Sequence, residues 1–192
     1  LREDRRHIQD DDVFRLRSIV PNLNFECSTA PDIINIAIQV RTEWTCLVPE
    51  KRQELTTEGG LNLSRNTKKL ASTIQRLTDH HINVSLFINP NPVDVRIAKD
   101  LGAQGVELHT GIYALADNTM NSLADIQECA TLAASLGLKV QAGHGLNYEN
   151  VANVVAIPEI QEVNIGHSIV CRSIKVGLTQ AVSEMKQCLL TI

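Results

Sequence analysis

Apolar residues along this chain fall into short β-type runs separated by stretches with helical spacing. Six runs read as strands: 23–27 (LNFEC), 44–50 (WTCLVPE), 84–89 (VSLFIN), 105–111 (GVELHTG), 139–145 (KVQAGHG) and 162–167 (EVNIGH). The spacing predicts helices over 10–19, 31–40, 62–81, 92–102, 118–137 and 147–157, and over about 168–189 with a break near Gly177. Local chemistry agrees. Three Asp open the first helix, where the positive end of the dipole favours them. Pro31 starts the second, and Gly102 and Gly137 close two others. Leu70, Ile74 and Leu77 mark the buried stripe of 62–81.

One after another, the strand runs end in a polar residue: Glu26, Glu50, His109, His144 and His167. Parallel strands bring their C-terminal ends to one face of a molecule, which is how a (β/α) barrel builds its site. The alternation alone allows an open doubly wound sheet or part of an eight-stranded barrel. An open sheet concentrates ligand groups at one switch point, whereas here they recur around the whole series, which favours the barrel. The expected fold is therefore α/β, a (β/α)8 TIM barrel forming a single domain over 1–192. With six strands visible, it lacks the first βα unit and most of strand 2.

Composition narrows the function. Hydrophobic residues make up 43% and aromatics 3%, so the core rests on Ile, Leu, Val and Ala, a set suited to parallel strands under helices. A net charge of −4 excludes an electrostatic nucleic-acid footprint. No apolar run approaches the roughly 18 residues that span a bilayer. Five cysteines (27, 46, 129, 171 and 188) show no CxxC spacing and read as reduced structural thiols of a cytoplasmic protein.

Glu26, on an otherwise apolar alternation, is expected to be partly shielded, raising its pKa toward general acid or base use; the alternative is a surface Glu. His144 lies between Gly143 and Gly145, which permit close backbone approach to a ligand, and imidazole titrates near working pH; the alternative is a turn His flanked by Gly for backbone reasons. Gly166-His167-Ser168 should open a helix whose free N–H groups suit a phosphate; the alternative is a Gly turn with a Ser N-cap. The long loop 50–60 reads as a lid, with Thr56 and Thr57 available to a phosphate or hydroxyl, or else as a solvated charged loop. His109 reads more simply as a packing residue. Arg2 and His7 offer cations to an anionic substrate, or else belong to a salt-bridged surface loop.

The segments LREDRRHI, LVPEKRQELTTEGGL, VSLFI, HTGIYA, AASLGLKVQAGHGL and NIGH closely resemble the pyridoxine 5′-phosphate synthase family of deoxyxylulose-dependent vitamin B6 biosynthesis, essentially from end to end. The resemblance implies a (β/α)8 barrel that condenses 3-amino-2-oxopropyl phosphate with 1-deoxy-D-xylulose 5-phosphate. The products are pyridoxine 5′-phosphate, phosphate and water. It implies no metal and no organic cofactor, small phosphorylated substrates as the partners, and a cytoplasmic homo-octamer. It casts Glu26 as the acid/base carboxylate and His144 as the proton donor. Arg2, His7 and Thr56 match positions that hold the deoxyxylulose phosphate, while Gly145, Gly166 and His167 match those that hold the aminoacetone phosphate.

There are departures. The family's first strand, with its Asn-x-Asp-His motif, and a catalytic His just before the LREDRR segment have no counterpart here. Gln141 stands where Asn is common, and Cys27 and Ser28 replace small apolar residues. The 192-residue piece made alone is accordingly expected to be poorly folded and inactive. Two rival readings stand beside the synthase. One is a metal-dependent barrel hydrolase with His109, His144 and His167 as ligands, although no His-x-His or HExxH spacing occurs. The other is a non-catalytic barrel fragment.

Overall fold

The computed structural model describes residues 1–50, 59–65, 67–115 and 120–190. Six strands occur among them: β1 (Asn24–Cys27), β2 (Trp44–Leu47), β3 (Asn83–Ile88), β4 (Gly105–His109), β5 (Lys139–Gly143) and β6 (Ile160–Asn164). The helices are α1 (Asp10–Ile19), α2 (Pro31–Val40), α3 (Thr67–Thr78), α4 (Pro92–Asp100), α5 (Gly111–Leu115), α6 (Met120–Ser135), α7 (Val151–Val155), α8 (His167–Val176) and α9 (Leu178–Leu190).

All strands are parallel and lie in chain order, β1 to β6, without reversal. A doubly wound sheet would reverse its order at a switch point. The sheet also curls. Asn24 Nδ2 of β1 donates to Glu162 Oε1 of β6 at 2.9 Å, whereas five strand spacings laid flat would separate them by about 24 Å. Six parallel strands rolled around a common interior, with helices outside, are the (β/α)8 barrel architecture.

The two faces of the sheet differ in chemistry. Phe25, Leu47, Leu86, Val106, Val140 and Ala142 are buried beneath the helices, and the stripe of α3 (Leu70, Ile74, Leu77) packs into the same layer. The alternate positions point inward and are largely polar. Near the N-terminal ends, Glu162 accepts from Asn24, Gln141 and Lys139, and the Lys139 ammonium lies 4.9 Å from the Trp44 ring centre. Parallel strands buried on both faces usually read as continuous apolar runs. Here a polar interior restores a period of two.

Several boundaries differ from the sequence reading, each for a local reason. Over 62–81 the helix occupies only Thr67–Thr78. Asn62 Oδ1 accepts from Ser64 Oγ and Arg65 N, holding a turn ahead of it, and His81 takes a left-handed φ of 60° just past its end. Over 147–157 it shrinks to Val151–Val155, because Asn147 Oδ1 caps the amides of Glu149 and Asn150 in an Asx turn. The short α5 went unread, since five residues are too few to display a period. The break at Gly177 is present, with φ 82°.

Candidate active site

A cavity of about 1110 Å³ opens at the C-terminal ends of the strands. Its lining includes Arg2, Glu26, Glu107, His109, His144, Gly145, Asn164, Gly166, His167 and Ser168. Six of the eight residues to which the resemblance gives a role thus share one chamber. His7 is exposed and does not line it. The chain turns away at Arg5 (φ 53°), which is tied to Asp10 and Asp32. Thr56, together with Thr57 and most of the expected lid, lies outside the described residues.

Glu26 enters from β1 but is not shielded: its side chain is 53% exposed. β1 has no strand on its outer side among the described residues, so water reaches the carboxylate. Its Oε1 instead accepts from Arg2 Nη2 at 3.1 Å, and Arg2 Nη1 donates to the Pro49 carbonyl at 2.9 Å. The guanidinium is therefore anchored at the cavity wall, and the carboxylate has a cationic neighbour.

The shielded carboxylate is a different one. Glu107 projects inward from the middle of β4 with 3% exposure. Burial, then the nearby charge of Glu26, pushes its pKa up to about 7. Cys46 Sγ donates to its Oε2 at 3.3 Å, and Asn164 also donates to it. Gly143 makes room for it, since a Cβ there would lie 2.3 Å from Oε1. A carboxyl that titrates near neutrality inside a cavity can both give and take a proton. A sequence signal for it existed: with His109 facing inward, the period of two sends Glu107 the same way.

His109 follows two residues later. Its ring stacks on His144 with centroids 4.7 Å apart, and Phe87 meets its edge at 5.1 Å. Burial, then His144, lowers the His109 pKa to about 4, so it stays neutral at working pH. The pair is thus a neutral imidazole backing a second one. His144 has φ 84°, a rare conformation for a residue with a Cβ, and Gly145 follows at 77°. Thr110 Oγ1 holds this turn from β4, lying 2.8 and 2.7 Å from the carbonyls of Gly143 and His144. Strain of this kind persists where the surroundings over-determine it, commonly at functional sites.

α8 begins at the cavity wall with Gly166 as its N-cap residue. Ser168 does not cap it; its hydroxyl donates to the Leu146 carbonyl at 2.8 Å. That leaves the first-turn amides of α8 available to an anion. His167 is exposed, with Cys171 Sγ 3.7 Å from its Nε2. Among the described residues, no three His, Cys, Asp or Glu side chains converge as a metal site requires, and His167 does not join the His109–His144 pair.

The chain is 48% identical over 189 residues to the pyridoxine 5′-phosphate synthase of Thermodesulfovibrio yellowstonii, covering 97% of this chain and 78% of that protein. It is 51% identical over 190 residues to the enzyme of that name from Coxiella burnetii, covering 97% and 79%. Among solved structures, 3-hexulose-6-phosphate synthase from Salmonella typhimurium superposes with a TM-score of 0.67 at 12% identity, covering 95% of this chain and 81% of that one. The tryptophan synthase A-subunit from Pyrococcus furiosus gives 0.62 at 14% identity, covering 95% and 72%. These two similarities speak for the barrel fold alone. The profile of the family described as "Pyridoxal phosphate biosynthesis protein PdxJ" matches residues 1–191. The chain therefore belongs to the PdxJ family, a family of enzymes.

Proposed function

We propose that the chain acts as a pyridoxine 5′-phosphate synthase, condensing 3-amino-2-oxopropyl phosphate with 1-deoxy-D-xylulose 5-phosphate. The products are pyridoxine 5′-phosphate, phosphate and water. The observation that carries this reading is one cavity lined both by groups able to move protons (Glu26, Glu107 and His144) and by groups suited to anions (Arg2 and the start of α8). Both substrates carry a phosphate, and every step between them moves protons. Imine formation expels water, a phosphate leaves, and ring closure expels water again.

The chain's own residues divide this work. The α8 amides at Gly166 and His167, together with Gly145, hold the aminoacetone phosphate. Arg2, already fixed to Glu26 and Pro49, together with His7 and Thr56 from their loops, holds the deoxyxylulose phosphate. His7 reaches it only if its loop folds inward on binding. Glu26 shuttles protons during condensation, His144 donates to a leaving oxygen, and Glu107 supplies a second proton store beside them. No metal or organic cofactor enters the scheme. The protein works in the cytoplasm as a homo-octamer.

The direct test follows pyridoxine 5′-phosphate formation from the two substrates, with and without a chelator, using the complete coding sequence that contains this chain. Product formed in both cases supports the synthase; chelator-sensitive turnover would favour the metal-dependent hydrolase. The phosphate assignment has its own test. A Cβ at Gly166 would meet nothing within 4 Å, so Gly166→Ala should leave the melting temperature unchanged. It should raise KM for 3-amino-2-oxopropyl phosphate about tenfold, equivalent to about 1.4 kcal/mol. An unchanged KM would remove Gly166 from the phosphate site.

The 192 residues expressed alone are expected to be inactive. Among the described residues β1 and β6 each pair on one side only, and Val170, Ile174 and Leu178 are exposed on α8 and α9. A cooperative melt accompanied by turnover would contradict this.

A further inference from the structure

Cys46 has every mark of an inert core thiol. It is 1% exposed, and burial, reinforced by the charge of Glu107, drives its pKa well above the ordinary range. It therefore keeps its proton and is neither a nucleophile nor a metal ligand. Yet it faces the barrel interior rather than the helix layer. From β2 its Sγ reaches past β3 to Oε2 of Glu107 on β4, at 3.3 Å. Its register partner on β3 is the small, buried Ser85, whose side chain also hydrogen-bonds the thiol.

The rest of the Glu107 environment is also fixed. Asn164 donates from β6, and Gly143 on β5 leaves space for Oε1. The charged groups around it are Glu26 on β1, which is paired with Arg2, and Glu162 on β6, which is paired with Lys139. On its own strand the neighbour is His109, neutral at working pH. Both carboxylates favour the protonated form of Glu107, and each already has its cation. The thiol and the Asn164 amide are the two donors that favour the ionised form.

We propose that Cys46 is a positioning residue for Glu107, a weak sulfur donor that orients the carboxyl and sets the pH at which it gives up its proton. Sulfur suits the task because its bond is weak. A hydroxyl would hold the carboxylate more firmly and lower the pH at which the carboxyl ionises. An apolar side chain would raise it. The catalytic consequence rests on the synthase reading, in which Glu107 is a proton store.

The test is a 13C NMR titration of glutamate side-chain carboxyls in the ligand-free protein, with the Glu107 signal assigned by its loss in Glu107→Gln. Cys46→Ser should move the Glu107 midpoint down by about 0.5 pH or more, and Cys46→Val should move it up by a similar amount. A merely structural thiol would give shifts of the same sign in both variants, or none, and either result overturns the proposal. If the Val variant does not fold, the Ser variant decides alone, through a lowered or an unchanged midpoint. Because the titration needs no turnover, failure of the synthase reading leaves it readable. If that reading holds, the matching limb of the kcat pH profile moves with the midpoint.

Discussion

Glu107→Gln is expected to lower kcat by a factor of about 10² to 10⁴ while making the folded protein more stable at neutral and alkaline pH. Both effects come from one buried carboxyl. Its folded pKa lies near 7, raised from 4.5 by burial and by Glu26. Between those values the folded state binds the extra proton and the unfolded state does not, so wild-type stability falls as pH rises. The stability associated with the raised pKa is complete below about 4.5 and lost once pH passes about 7. A glutamine cannot ionise and escapes this loss. The two melting curves should coincide in acid and separate toward pH 7, by up to about 3 kcal/mol. Denaturant unfolding at pH 4.5 and pH 8 checks the window. Equal destabilisation at both values would mean that Glu107 matters as packing rather than as a titrating group.

Gly111→Ala is expected to damage both stability and turnover. A Cβ at that position would lie 2.5 Å from Cε1 and 2.9 Å from Nε2 of His109, and 3.2 Å from Cδ2 of His144. The ring cannot retreat easily, because Phe87 closes its edge and His144 covers its face. The displaced ring must push on His144, whose backbone is already held in a rare conformation. Overpacking of this kind costs about 1–3 kcal/mol, and a misplacement of about 1 Å at a reacting group can cost about 10² in turnover. Steady-state kinetics and a thermal melt measure both. Turnover within twofold of wild type would show that the stack does not position His144. For the melt alone, Gly166→Ala is the natural control, since it adds the same methyl to open space.

What the sequence disclosed follows from what parallel strands do to polar residues. His144, Gly145, Gly166 and His167 were legible because they stand just past strand ends, where polarity interrupts an apolar run. Glu107 was hidden by the same logic: it sits inside the run, and its polarity merged with that of His109. Glu26 was found in the right place but with the wrong surroundings, because exposure depends on what lies beside β1 and on Arg2, neither of which its own strand encodes. His7 was placed by its motif, but a turn set by two ion pairs of Arg5 directs it away from the cavity. The helix boundaries missed at 62–65 and 147–150 were overridden by Asn side chains that capture nearby amides more locally than a helix would.

The alternation of polar and apolar faces along the strands has a consequence for how the chain finds its own alignment. In a sheet with two greasy faces, a strand can slide by one residue and lose little. In this one, the same slide on β4 would drive Glu107 and His109 among the helices and turn Val106 and Leu108 into the cavity. The side chains that make the chemistry possible therefore also act as register marks, and a drifting lineage that replaced them with apolar residues would lose more than a reaction. It would lose the instruction that tells each strand where to stop.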